Sequence, residues 1–168
     1  MRITHWLMSV IIIALLCVGF YMADFLDPQS PIRGQIYHLH KSFGALIIFL
    51  ITYRIFLRFT NDIPALPKTI NPLQKKLAKG AQFLLYLLMI CMPLSGYLMS
   101  NAAGYPVKLF VIELPALVGK DPVLGKFFHS AHHYLGYAFV IILSLHIAGA
   151  LKHRFFDKPE NDVLKRML

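Results

Sequence analysis

Eight histidines stand in this 168-residue chain, and four of them, His5, His40, His132 and His146, fall in or at the edge of long apolar stretches. An ionisable side chain in hydrocarbon is expensive, so its presence there marks function. His132 and His146 are fourteen residues apart. On a helix that spacing leaves them within ~40° of one face and ~21 Å apart along the axis. One helix thus offers two imidazoles on a single stripe, one near each leaflet. Haem iron in electron-carrying cytochromes takes an imidazole on each side, so each of the two needs a partner from another helix. His40 lies level with His132. His5 lies level with both His146 and His153, and depth leaves that choice open. His129 and His133 fall off the stripe and read as interfacial or outer-loop residues.

Two glycines repeat the pattern. His40 is followed four residues later by Gly44, and His132 by Gly136, one turn on along the same face. A flat macrocycle against a helix needs such a bare position beside its ligand. Bare zinc or copper would draw three or four ligands to one level, whereas these histidines separate into two pairs ~20 Å apart.

The elements that must hold them follow from composition. The chain is 57% hydrophobic and only 15% charged, with mean hydropathy +0.59, against about 25% charged for a soluble domain. Four apolar blocks, at about 3–23, 37–59, 81–100 and 128–151, are each near the ~20 residues that cross a bilayer. The expected fold is all-α: a membrane four-helix bundle forming one domain over 1–168. Pro93 falls inside the third block and predicts a kink. Pro28, Pro31, Pro64, Pro67, Pro72, Pro106, Pro115 and Pro122 read as breakers in the linkers.

The net charge of +9 does not point to nucleic acid, because the cations flank the apolar blocks. Arg54 and Arg58 at the end of the second block are followed, before the third, by Lys68, Lys75, Lys76 and Lys79, and the C-terminal tail adds five more. This asymmetry predicts that both termini are cytoplasmic. Cys17 and Cys91 sit inside apolar blocks, which gives neither a disulfide framework nor a metal pair. No Cys-x-x-Cys-His occurs, so a bound haem would not be covalently attached. The first apolar run lacks a small-residue cleavage site and reads as a retained helix.

His5-Trp6 opening the first helix resembles the bacterial cytochrome b561 family. So do His40-Lys41-Ser42 with Gly44, Arg54 and Arg58, and the run from His132 through Leu145-His146 to Leu151-Lys152-His153. The resemblance covers essentially the whole chain and extends, more distantly, to the cytochrome b subunits of membrane hydrogenases and formate dehydrogenases. It implies two b haems in an inner-membrane bundle, with His40 and His132 holding the outer one and His5 and His146 the inner one. Gly44 and Gly136 would pack against haem. Members of the family include a superoxide oxidase that reduces ubiquinone. By that likeness His153, assisted by Lys152 and Arg154, stands beside a quinone. Two other readings compete. One is a haem subunit that anchors a partner dehydrogenase, which the short loops disfavour. The other is a cation or proton transporter, which predicts a colourless protein.

Overall fold

The computed structural model describes residues 1–62 and 65–167, so Pro64 lies outside the described residues. Four long helices, α1 (Arg2–Asp24), α2 (Arg33–Thr60), α3 (Pro72–Ala102) and α4 (Pro122–Phe155), run up and down as a bundle. Each is long and apolar enough to cross a membrane. Val10, Phe49, Phe83 and Ile141, one on each helix, are all more than half exposed. Apolar surface of that extent needs lipid around it.

The helices outrun the apolar blocks because their ends are set by caps rather than by hydropathy. The Asn71 side chain accepts from the Leu73 N–H, and Asp121 accepts from Val123 and Leu124. Pro72 and Pro122 follow them as first helical residues, where a missing N–H costs nothing. Both prolines therefore start helices rather than break linkers. The same extension places His129 and His133 inside α4, not in a loop; the His133 ring packs on Tyr134 and Tyr137. Helix α3 continues through Pro93.

One small departure from an all-α fold lies between α3 and α4. Two-residue strands β1 (Lys108–Leu109) and β2 (Ile112–Glu113) pair antiparallel in a hairpin. This marks the hairpin end of the bundle. The opposite, termini end has both chain ends and the α2–α3 connector. Beyond α4, two 3-10 turns, Pro159–Asn161 and Leu164–Arg166, fold the tail back, and the Trp6 indole N–H donates to the Met167 carbonyl at 2.7 Å.

Between the ends lies an apolar layer of Met8, Ile12, Ile47, Ile51, Leu85, Leu88, Met89 and Phe139. Phe139 is midway along α4 between His132 and His146. Extended backbone packing joins α1 to α2, α2 to α3 and α3 to α4. Among the described residues, α4 has no such packing on α1 or α2.

Candidate functional site: two imidazole pairs

Histidine rings meet across two helix pairs that lack extended backbone packing, α2 with α4 and α1 with α4. At the hairpin end, His40 of α2 faces His132 of α4 with ring centroids 6.3 Å apart and planes at 82°. At the termini end, His5 of α1 faces His146 of α4 at 6.4 Å and 66°. The ring opposite His5 is His146, while His153 turns to Asp157. Two imidazoles on opposite sides of one metal ion, with metal–nitrogen bonds of about 2.0–2.1 Å and about 1.15 Å from nitrogen to ring centre, stand with centres about 6.3–6.5 Å apart. Both observed separations meet that requirement.

The surroundings of the hairpin-end pair were built to receive something. His132 Nδ1 lies 3.0 Å from the Met92 carbonyl and 3.1 Å from Ser95 Oγ. A carbonyl only accepts, so Nδ1 carries the proton and Nε2 keeps its lone pair for a metal. Ser95 in turn donates to the same Met92 carbonyl. His40 Nδ1 is buried with no hydrogen-bond partner, an expensive state unless a cofactor engages the ring. Between the rings runs an apolar cavity lined by His40, Gly44, Met92, Pro93, His132 and Phe139, with Ile12, Leu15 and Leu16 closing it from α1. At Gly44, a Cβ would meet no atom within 4 Å. Gly136 is buried against the Met92 methyl, 3.5 Å from where its Cβ would be.

At the termini end the guanidinium of Arg54 lies 3.4 Å from His5 Nδ1 and 3.4 Å from the Met1 carbonyl. A positive charge so placed suits a carboxylate at this level. Among the described residues no three His, Cys, Asp or Glu side chains gather for a metal ion. Each level brings two imidazole rings together, a donor set that suits a metal carried in a macrocycle. That donor set and the orphaned imidazole nitrogen among apolar side chains suit haem.

Residues that sequence reasoning passed over complete the picture. Gly19 of α1 and Gly96 of α3 each lie against a candidate ligand: a Cβ would stand 3.4 Å from His40 Cε1 in the first case and 2.8 Å from His132 Cε1 in the second. Their signal, a glycine within a span, was present but lay on helices other than the ligand's own. Lys152, His153 and Arg154 do not act as one basic group. Arg154 is held by Asp162, while Lys152 and His153 converge on Asp157 at 3.8 and 2.8 Å.

A protein family described as prokaryotic cytochrome b561 matches residues 1–168. The chain is also 31% identical over 165 residues to cytochrome b561 homolog 2 of Escherichia coli (strain K12). That match covers 98% of this chain and 86% of the relative.

Proposed function

The chain belongs to the prokaryotic cytochrome b561 family, and from that premise we propose that it holds two b haems, takes electrons from superoxide and delivers them to ubiquinone. Membership itself makes it a multi-pass membrane protein that binds haem b and transfers electrons. The di-haem reading rests above all on the two ring pairs, at 6.3 and 6.4 Å, on opposite sides of the apolar layer. His40 and His132 would hold one haem, His5 and His146 the other. Gly44 and Gly136 would leave room beside the ligands.

Bound haem supplies one-electron chemistry. In the overall balance two superoxide anions lose one electron each to become dioxygen. One quinone takes up those two electrons and two protons to become quinol. The chain's own residues set the direction. Lys41, half-buried one residue beyond His40, holds a positive charge at the hairpin end, where an anion would approach. Its ammonium is anchored by Ser100 Oγ and the Pro106 carbonyl, at 3.2 and 3.0 Å. Lys108 adds little, since Glu113 lies 3.6 Å away. At the termini end, His153 is the candidate for holding the quinone head group and giving it protons. The distribution of Lys and Arg supports reading this end as cytoplasmic, with the bundle in a bacterial inner membrane.

An absorption spectrum with a haem-to-protein ratio tests the cofactor first. Two haems per chain, reduction by superoxide and reoxidation by added ubiquinone are the results expected of the purified protein. A sample that superoxide reduces only in the presence of a co-purified dehydrogenase would favour the anchoring role.

A further inference from the structure

We propose that Asp157 is the positioning residue for proton delivery at His153: its carboxylate fixes the imidazole so that Nε2 is the nitrogen presented to the quinone. This rests on the reading of His153 as the residue beside the quinone.

The pair is built, not incidental. His153 Nδ1 lies 2.8 Å from Asp157 Oδ2, one turn on and just past the end of α4. An ionised carboxylate accepts only, so Nδ1 carries the proton. Among the described residues Nε2 has no hydrogen-bond partner. The other carboxylate oxygen is clamped: Oδ1 accepts from the Lys158 N–H at 2.8 Å and from Asn161 Nδ2 at 2.9 Å. Asn161, only 3% exposed, accepts in turn from Thr69 Oγ1 at 2.5 Å. That chain of contacts ties His153 to the α2–α3 connector. The folded tail is closed over it by Arg154 on Asp162, by Arg166 donating to the Ala65 carbonyl at 2.7 Å, and by Trp6 on Met167. With Arg154 and Arg166 both engaged elsewhere, the basic side chains beside the Asp157 carboxylate among the described residues are Lys152 and His153.

The chemistry follows. Quinone reduction consumes two electrons and two protons. The electrons come from the reduced cytochrome. Each proton passes from Nε2 of the His153 imidazolium to a quinone oxygen, and the imidazole is recharged from water between the two transfers. Asp157 keeps its negative charge throughout. It steadies the imidazolium before transfer and holds the neutral ring in one tautomer afterwards, as a carboxylate behind a catalytic histidine does. Its own carboxyl is held low by Asn161, Lys158 and His153, so it does not compete for the proton.

The test uses the haem-loaded protein in detergent or liposomes. Haem is reduced by superoxide, and its reoxidation by ubiquinone is followed in stopped flow for wild type, Asp157→Asn, Asp157→Glu and His153→Gln. Asp157→Asn keeps the shape and removes the charge. It is expected to lower the saturating reoxidation rate by ten- to hundredfold, to leave the half-saturating quinone concentration near wild type, and to leave haem content and reduction by superoxide unchanged. Asp157→Glu is expected to recover most of the rate. If His153→Gln slows reoxidation while Asp157→Asn does not, the positioning role is overturned and the quinone reading stands. If His153→Gln reoxidises at the wild-type rate, the quinone reading falls and takes this proposal with it. A rise in half-saturating concentration alone for Asp157→Asn would mean that Asp157 only shapes the pocket, which also overturns the role.

Discussion

A Cβ built on Gly96 stands 2.8 Å from Cε1 of His132 and 3.1 Å from its Nδ1, so the imidazole fills the space that any other residue at 96 would take. The ring has nowhere to retreat without breaking its contacts to the Met92 carbonyl and Ser95. Gly96→Ala is therefore expected to displace His132 and cost the hairpin-end haem, halving the haem-to-protein ratio while the bundle still inserts. Gly80→Ala on the same helix, with nothing within 4 Å, is the control and should keep both haems. Pyridine haemochrome assay of the two variants decides it. A full haem complement in Gly96→Ala would show that His132 is not held as described.

Ser42 ties the segment after His40 to the hairpin. Its hydroxyl, fully buried, donates to the Lys108 carbonyl at 2.8 Å and accepts from the Phe110 N–H at 3.1 Å. Phe110 sits at φ 55, a left-handed conformation that a phenylalanine adopts only under compulsion. Its ring packs edge-on against Phe43 at 5.3 Å. Ser42→Ala strands both backbone partners. The expected cost is about 1–3 kcal/mol, seen as a lower melting temperature. Amide exchange should quicken across residues 105–117 and stay slow in α3 and α4.

The four spans were legible in the sequence because hydropathy reports membrane contact directly. So were the levels of His40, His132, His5 and His146, because a helix converts spacing into depth. What stayed hidden depends on contacts between distant segments. Nothing near Gly96 says that it faces His132, and nothing at Asp157 says that the tail folds back to clamp it through Asn161. Helix ends were missed for a different reason. Asn71-Pro72 and Asp121-Pro122 are cap-and-first-turn pairs, and a scan for apolar runs discards them as linker.

The folded tail has a built-in acid limit. The Asn161 side chain, then the Lys158 N–H and His153, hold the Asp157 carboxyl at about 2. The Lys165 N–H and Arg154 lower Asp162 as well. An unfolded aspartate titrates near ~3.9. Because both folded carboxyls lie below it, the tail's stabilisation is fully present above pH ~4 and is lost as pH falls from there, for Asp157 through about 2. Limited proteolysis by an acid-active protease should therefore leave residues 157–167 intact at pH 5 and cut them progressively toward pH 2, while the membrane helices survive. Cleavage that is equally fast at pH 5 and pH 2 would contradict the clamp.

The two ring pairs give separable defects if each holds its own haem. His132 stands at the hairpin end, where electrons are proposed to enter. His146 stands at the termini end, near the turn that carries His153. Replacing a single ligand with alanine should release the haem at that level and leave the other, since the apolar layer around Phe139 separates them. His132→Ala is then expected to respond poorly to superoxide, yet its remaining haem, reduced by dithionite, should still be reoxidised by ubiquinone. His146→Ala should show the reverse: ready reduction of the hairpin-end haem by superoxide, and reoxidation by quinone slowed by at least tenfold, because the electron must cross the apolar layer without its relay. Stopped-flow traces of both half-reactions on both variants make four measurements. Identical defects in the two variants would mean that the pairs do not lie in series between donor and acceptor.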